Sequence, residues 1–274
     1  MTTRSLTAGL ARLAGLSRSG CDAPVSAAPF SASTSAVRRT EQSAPPASVP
    51  CMIARWKDFC IDAVDAPAAL RFWSVALGLE GQESGNGGVL RGDTPEQTVW
   101  INRVAEPRRA KNRLHVDVST PSVQRLIDAG ATVADADTFA WTVLRDPDGG
   151  ELCAFVRDDP AADPFYELVL DCADPQAQAT WWHGVIGGEL GHDEEHGWWW
   201  VDPPEGWPWE SWVFVPVPEP KVETNRVHPD LWGEEADLVA AGATVVDRQP
   251  GGVVLADPEG NEFCAFAPPD ADEC

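Results

Sequence analysis

The feature that most constrains the fold is an internal repeat. Residues 146–155 and 257–266 are identical at seven of ten positions and lie 111 residues apart. Each segment begins with an Asp-Pro-x-Gly turn, in which Pro presets φ and Gly tolerates a positive φ. An apolar run typical of a short buried strand follows each turn. Two copies of this turn and strand indicate that the chain is duplicated.

Three further blocks recur in the same order. Trp181-Trp182 matches Phe72-Trp73 at a shift of 109, residues 224–230 match 111–117 at a shift of 113, and residues 241–245 match 129–133 at a shift of 112. The apolar runs and turn residues of each copy predict a strand, a helix and three strands, and then the same order again. The sequence therefore predicts four βαβββ units, two in each repeat.

The repeats set the predicted domain boundaries. Residues 52–158 and 165–268 form the two ordered copies, residues 159–164 a short polar linker, and residues 269–274 an acidic tail. Residues 1–51 are rich in Ala, Ser, Thr, Pro and Arg, a composition that predicts a disordered extension. Their Arg-rich, acid-poor character also resembles a transit peptide. We favour a third interpretation, a misassigned start with translation from Met52.

Composition limits the partners and the compartment. The formal net charge is −23, and a chain this acidic repels phosphate backbones, so we expect no nucleic-acid partner. No apolar run approaches the length of a membrane span, which predicts no membrane insertion. Seven Cys are scattered without a Cys-x-x-Cys pair, and several fall in apolar runs. This pattern favours buried free thiols in a reducing cytoplasm.

These blocks together resemble the vicinal-oxygen-chelate superfamily, which includes glyoxalase I, bleomycin-resistance proteins and extradiol dioxygenases. The resemblance rests on the helix block at 65–78, the strand with His115, the Ala-Gly-Ala-Thr-Val block and the Asp-Pro-x-Gly-x-Glu-x-Cys motif. It covers 52–268 and is closest to glyoxalase-like proteins of actinobacteria. It implies an α+β fold of tandem domains, each with two βαβββ units in an open cupped sheet, and a chain that works as a monomer or weak homodimer.

The resemblance also implies a divalent ion, either Zn, Ni, Mn or Fe, on the cupped sheet. Carried over by position, the candidate ligands are Asp58 and Glu167 on the first strands, His115 and His228 on the middle strands, and Cys153 and Cys264 on the last strands. The two Cys replace the Glu that is usual in the family. Zn accepts all three ligand types, so the sequence leaves two alternatives open, a metal-binding protein and a metal-free one. Each His is alternatively a structural partner of the Asp two residues later, and each Cys a core residue.

Tryptophan is the unusual residue of this chain. Nine of the thirteen Trp lie in the second repeat, and Trp198 and Trp200 share one face of a predicted strand. With Trp212, they predict an aromatic pocket for a planar or apolar ligand, or alternatively an ordinary core. Arg113 and Arg226 are candidates for anchoring an acidic group of the ligand, although a salt bridge with a nearby Asp is the commoner role.

Two functions follow from these residues and the resemblance. The first, which we favour, is binding of a small organic molecule in a cupped, Trp-rich pocket. The alternative is a metal-dependent lyase, isomerase or dioxygenase acting on a small oxygenated substrate, with Glu167 moving a proton. Whether the chain is an enzyme is open between the two.

Overall fold

The computed structural model describes residues 52–158 and 164–269. The predicted extension at 1–51, all but one residue of the predicted linker, and the tail beyond residue 269 lie outside the described residues. No helix in the described ranges is long and apolar enough to cross a membrane.

The described chain contains four βαβββ units in sequence. Unit 1 comprises β1 (Ala54–Ala63), α1 (Ala66–Leu77), β2 (Glu80–Ser84), β3 (Gly87–Arg91) and β4 (Val99–Arg103), with a 3-10 turn at Pro95–Gln97. Unit 2 comprises β5 (Leu114–Thr120), α2 (Val123–Asp128), β6 (Thr132–Asp135), β7 (Thr142–Arg145) and β8 (Glu151–Val156). Unit 3 comprises β9 (Phe165–Cys172), α3 (Pro175–Ile186), β10 (Glu189–Asp193), β11 (Trp198–Asp202) and β12 (Ser211–Pro216). Unit 4 comprises β13 (Val227–Gly233), α4 (Glu235–Ala240), β14 (Thr244–Gln249), β15 (Gly252–Ala256) and β16 (Glu262–Phe266).

The sixteen strands of the described residues form two eight-stranded sheets. Sheet A has the order β14-β15-β16-β13-β1-β4-β3-β2, and sheet B has the order β10-β11-β12-β9-β5-β8-β7-β6. Sheet A therefore joins units 1 and 4 through antiparallel β1 and β13, and sheet B joins units 2 and 3 through antiparallel β5 and β9. The predicted α+β class, with two βαβββ units in each sheet, is confirmed. The boundaries 52–158 and 165–268 delimit the repeats along the chain, whereas each sheet draws one unit from each repeat.

The two long helices begin where their capping residues predict. Asp65 Oδ1 accepts a hydrogen bond from the amide of Ala68 at 3.1 Å, and Asp174 Oδ1 accepts one from Ala177 at 3.0 Å. A Pro lies in the first turn of each helix, where no backbone donor is needed. Gly78 ends α1 with φ of +68°, a left-handed cap that favours glycine.

The repeated Asp-Pro-x-Gly turns are fixed by their own Asp. Asp146 Oδ1 accepts hydrogen bonds from the amides of Asp148 and Gly150, at 2.9 and 2.6 Å. Asp257 Oδ1 does the same for Glu259 and Asn261, both at 2.9 Å. These bonds position the strands that follow the turns, β8 and β16, which carry the two Cys of the predicted sites.

The connections that precede β5 and β13 are hydrogen-bonded to one another through matched Asn and Arg residues, and we call this set of contacts the clasp. The Asn112 side chain accepts a hydrogen bond from the Arg226 amide at 3.0 Å, and the Asn225 side chain accepts one from the Arg113 amide at 2.8 Å. The Arg113 side chain donates to the carbonyl of Pro220, and the Arg226 side chain donates to that of Glu106, both at 2.7 Å. The repeated Asn-Arg pair thus holds the two repeats together.

One face of each sheet packs against the helices in a common core. Phe59 and Ile61 of β1 point into this core, and they pack with residues of the helices such as Phe72 and Trp182. Because side chains alternate along a strand, the residues between them lie on the opposite face. That opposite, cupped face carries the candidate sites. We call it cup A in sheet A and cup B in sheet B.

Candidate metal and ligand sites

Cup A brings a thiol, an imidazole and carboxylates together at the β1–β13 junction. Cys60 is directly opposite His228, and Asp58 is directly opposite Asp230. The Cys60 Sγ lies 3.5 Å from Asp230 Oδ2, and the His228 Nδ1 lies 3.4 Å from Asp230 Oδ1. Cys264, on the adjacent β16, places its Sγ 3.9 Å from His228 Nδ1. Cys60, His228 and Asp230 offer ligand atoms that all lie within 4.8 Å of one another.

Asp58 borders this cluster and is held by two donors. Its Oδ2 accepts hydrogen bonds from Lys57 Nζ at 2.6 Å and from Trp100 Nε1 at 2.9 Å. Its Oδ1 is buried and has no hydrogen-bond partner in the described residues. Burial, followed by the charge of Asp230, raises the pKa of Asp58 to about 6 against the opposing effects of Lys57 and Trp100. This carboxylate therefore titrates near neutral pH.

His228 and Asp230 form an ion pair. Burial alone would lower the pKa of His228, but the hydrogen bonds and charges of Asp230 and Cys264 raise it to about 10. Asp230 is buried, yet the contact with His228 holds its pKa below the ordinary value. The side chain of His228 remains 15 % exposed. Cup A thus contains charged groups that are reachable from solvent.

Aromatic rings flank the same cluster. Trp100 of β4, Trp232 of β13 and Phe266 of β16 are each half-buried on the cup side. Lys57 Nζ lies 4.3 Å from the centre of the Phe266 ring and 5.3 Å from that of Trp232. A cation this close to aromatic faces is stabilised electrostatically. The polar cluster therefore has apolar walls.

Cup B contains the equivalent set at matched positions, but it is buried more deeply. The His115 Nε2 lies 3.5 Å from Asp117 Oδ1 and 3.9 Å from the Cys153 Sγ. These three side chains are at most 2 % exposed. Burial, together with the charge of Lys111, lowers the pKa of His115 to about 3. Burial also raises the pKa values of Asp117 and Cys153 well above their ordinary values. Burial thus disfavours the charged form of all three side chains in this cluster.

Glu167 lies opposite Asp117 in cup B, as Asp58 lies opposite Asp230 in cup A. Burial and the charge of Glu210 raise the pKa of Glu167 to about 8. At neutral pH this carboxyl group is therefore mostly protonated.

Two substitutions distinguish the cups. Val169 and Val213 of cup B occupy the places that Cys60 and Trp100 occupy in cup A, as the strand registers show. Both valines pack with Trp198 in a separate apolar cluster, and Trp200 packs against it. The unit 3 half of cup B is thus filled by aliphatic side chains and Trp.

The six predicted metal ligands divide between the cups. Asp58, His228 and Cys264 lie in cup A, whereas Glu167, His115 and Cys153 lie in cup B. Sequence reasoning passed over Cys60 as a ligand and took Asp117 and Asp230 only as partners of the histidines. The alternation of β1 puts Cys60 on the face of Asp58, and this signal could have found it.

The predicted ligand-binding residues have other surroundings. Trp198 and Trp200 face cup B, but Trp212 lies in the core on the helix side, with its ring centre 4.2 Å from that of Trp182. Arg113 and Arg226 are used in the clasp between the repeats, where they donate to backbone carbonyls. We therefore build no site on Trp212, Arg113 or Arg226.

Comparison with known proteins agrees with this architecture. The sequence model of a family described as glyoxalase-like domain matches residues 58–155 and 167–266. The chain belongs to this family, within the vicinal-oxygen-chelate superfamily. No curated protein sequence matches the chain significantly.

Solved structures share the fold at low identity. Glyoxalase I from Zea mays is 11 % identical with a TM-score of 0.55, over 78 % of this chain and 92 % of that one. A putative dioxygenase from Bacillus subtilis is 12 % identical with a TM-score of 0.57, over 80 % and 86 % of the two chains. At these identities the likeness concerns the fold alone.

Proposed function

We propose that cup A binds a small oxygenated organic molecule beside a divalent metal ion, and that Asp58 transfers a proton to or from this molecule as in a metal-dependent lyase or isomerase. The observation that carries the proposal is the meeting of Cys60, His228 and Asp230 within 4.8 Å, with Asp58 directly across the strand pair. Members of the superfamily bind small ligands and often act as metal-dependent enzymes, which agrees with this assignment.

The residues of cup A fit a metal ion. Cys60, His228 and Asp230 offer a sulfur, a nitrogen and an oxygen atom that all lie within 4.8 Å of one another. This donor set is typical of a transition-metal site. Sulfur, nitrogen and oxygen donors together suit Zn²⁺, whereas Mn²⁺ prefers oxygen ligands. Cys60, His228 and Asp230 would hold the ion, and Cys264 lies next to His228 as a further ligand.

Cup A is the better candidate because of its charge. The contact with His228 lowers the pKa of Asp230, and Asp58 titrates near neutral pH, whereas burial raises the pKa of Asp117 well above its ordinary value and that of Glu167 to about 8 in cup B. A cation is attracted to the carboxylates of Asp58 and Asp230, and it gains less from Asp117 and Glu167, whose carboxyl groups hold their protons more tightly. The ion must also displace the proton that His228 shares with Asp230, so its affinity rises with pH.

Each side chain of cup A has a role in this proposal. A bound divalent ion supplies Lewis acidity that polarises a carbonyl or enolate oxygen. Lys57 and Trp100 fix the orientation of the Asp58 carboxylate by its Oδ2, and this carboxylate would take a proton from a carbon next to that carbonyl. Trp100, Trp232 and Phe266 provide apolar contact for the ligand.

The test is proton exchange at carbon. The Zn²⁺-loaded chain is incubated in D₂O with a panel of α-hydroxycarbonyl compounds, and the loss of the C–H signal is followed by proton NMR. We expect the natural chain to catalyse exchange of at least one compound, and Asp58→Asn to slow it by about 10²–10⁴. The matched control is Asp62→Asn, on the same face of β1, which should retain the rate. Equal rates for Asp58→Asn and the natural chain would contradict the proposal.

A second candidate is binding without metal or turnover. It is favoured by the half-buried rings of Trp100 and Trp232 in cup A. The same panel tests it through quenching of Trp fluorescence in the metal-free chain. Saturable quenching that persists in His228→Ala, without exchange in any sample, would favour this candidate. The predicted Trp-rich pocket with Trp198 and Trp200, and the predicted role of Glu167 as proton carrier, stay predictions for cup B.

We also infer a reducing, cytoplasmic setting and a single chain as the working unit. Cys60, Cys153, Cys172 and Cys264 are free thiols, which supports the first inference. Each sheet already combines both repeats, so one chain supplies what two copies of a single repeat would supply, which supports the second.

A further inference from the structure

A basic cleft lies at the end of cup B, on the side of unit 2. Its volume is about 290 Å³, close to the lower limit of about 300 Å³ for small-molecule pockets. Four cationic side chains line it, together with His115 and Glu151; the four are Arg108, Arg109, Lys111 and Arg145. Such a concentration of positive charge is unexpected in a chain with a net charge of −23.

Two of the four cations are already paired. Lys111 Nζ forms a short ion pair with Asp171 and lies 4.0 Å from Glu151 Oε2. Arg145 Nη2 lies 3.3 Å from Glu151 Oε1. Glu151 and Asp171 therefore balance Lys111 and Arg145 within the cleft.

The two remaining guanidinium groups have no ion pair or side-chain hydrogen bond among the described residues. The Nε of Arg108 is buried without a partner. Burial lowers the pKa of Arg108, while Asp146 and Asp148 act on it through their charge from beyond ion-pair distance. Arg109 is exposed at the mouth of the cleft. Two guanidinium groups beside one cleft thus lack a directly bonded acidic partner among the described residues.

The loop that carries both arginines is held in place by the other repeat. Glu223 Oε2 accepts hydrogen bonds from the amides of Arg109 and Ala110, at 3.1 and 3.0 Å. Gly150 leaves the space that the Arg108 side chain fills, since a Cβ at this position would lie 2.8 Å from Arg108 Nη2. The backbone of the loop and the Arg108 side chain are thus positioned before any ligand arrives, which lowers the entropic cost of binding.

The second repeat gives an internal comparison. At shifts of 113 and 111, the positions of Arg109, Lys111 and Arg145 are Val222, Thr224 and Ala256. Arg108 corresponds to Lys221, whose ammonium group is paired with Glu262 at 2.6 Å. The duplicated fold therefore does not require these cations, and the charge belongs to one cleft.

We propose that this cleft binds a small dianion, either a phosphate monoester or a dicarboxylate, through Arg108 and Arg109. A guanidinium group donates two parallel hydrogen bonds to a phosphate or carboxylate, and two such groups match a double negative charge. Lys111 and Arg145 line the same cleft, each paired with a carboxylate, and His115 lines it as well. This site is separate from cup A, so it does not depend on the proposed metal chemistry.

The test is calorimetric titration of the full chain with inorganic phosphate, with succinate and with neutral glycerol. We expect saturable binding of phosphate or succinate but not of glycerol, and the stronger of the two identifies the anion class. Arg109→Gln should weaken the affinity for that anion at least about tenfold, which corresponds to about 1.4 kcal/mol of binding free energy. Arg71→Gln, which removes an exposed charge on α1, is the matched control and should retain the affinity.

A second variant keeps the outcome clear. Gly150→Ala should displace the Arg108 side chain and weaken the binding of the same anion. Thermal unfolding shows whether this variant is folded. Absence of saturable binding by either anion would overturn the proposal. Equal affinity in Arg109→Gln and Arg71→Gln would overturn it as well, because the effect would then be one of net charge.

Discussion

The buried carboxyl group of Glu167 makes stability depend on pH in an unusual direction. Its pKa is raised from 4.5 to about 8, first by burial and then by the charge of Glu210. A carboxyl group that binds its proton more tightly in the folded state stabilises that state below its unfolded pKa. The contribution is lost as pH rises through the folded pKa. The loss of stability from Glu167 therefore builds up between about pH 4.5 and pH 8 and is complete above about pH 8.

The size of the effect follows from the same values. At about 1.4 kcal/mol per pH unit, the difference between 4.5 and about 8 amounts to at most about 5 kcal/mol. Glu167→Gln keeps the shape and removes the titration. We expect the variant to match the natural chain near pH 5 and to become more stable than it by up to about 5 kcal/mol near pH 9.

Urea unfolding followed by Trp fluorescence and circular dichroism, repeated between about pH 5 and pH 9, measures this difference. Comparing the two chains cancels the contributions of the other buried carboxyl groups and of the net charge. Glu210→Gln is the control, because removing this neighbouring charge should lower the folded-state pKa of Glu167, so that the loss of stability becomes smaller and ends at a lower pH without being abolished. Parallel pH profiles for Glu167→Gln and the natural chain would refute the reasoning.

Two further predictions concern the fold. Leu231→Ala in β13 should lower the free energy of unfolding in urea by about 2–5 kcal/mol, because Leu231 is fully buried in the core. A loss below about 1 kcal/mol would contradict this placement. We also expect that neither half of the chain, 52–158 or 164–269, folds as a monomer when produced alone, because β1 pairs with β13 and β5 pairs with β9 of the other half. Mixing the two halves should give a one-to-one complex. Size-exclusion chromatography with light scattering checks this, and a folded monomeric half would contradict the topology.

Much of the architecture was predictable because the duplication repeats its local signals. The capping Asp65 and Asp174, the Pro that follows each of them, and the Asp-Pro-x-Gly turns act within a few residues of chain, and they appear in the structure where the pattern places them. His115 lies beside Cys153, and His228 beside Cys264, as the resemblance to the superfamily implied. The caps and turns depend on local chemistry alone, whereas these two contacts also need β5 to pair with β8 and β13 to pair with β16.

The pairing of units across repeats was not predictable in the same way. Units 2 and 4 carry the same motifs, so β1 could pair with β5 or with β13 as far as their apolar patterns are concerned. The choice depends on contacts between distant residues, such as the clasp of Asn112 and Asn225. For the same reason the sequence did not indicate that Cys60 would join His228 rather than His115.

The candidate sites were predictable only in part. Trp198, Trp200 and Trp212 look alike in the sequence, but Trp212 lies on β12 with its side chain on the helix side of the sheet. The basic cleft escaped prediction because Arg108 and Arg109 lie in a loop without periodicity, and Arg145 approaches them only through the sheet.

The central claim is that cup A holds a divalent ion, and the most direct measurement is titration of the metal-free chain with Co²⁺ and Zn²⁺. Thiolate ligation gives Co²⁺ a strong near-ultraviolet absorption, and Zn²⁺ should displace it. We predict one equivalent of ion in the natural chain, weaker binding in Cys60→Val, and loss in His228→Ala. His115→Ala is the control in cup B and should leave binding unchanged. Binding that survives His228→Ala, or that is lost in His115→Ala, would contradict the account.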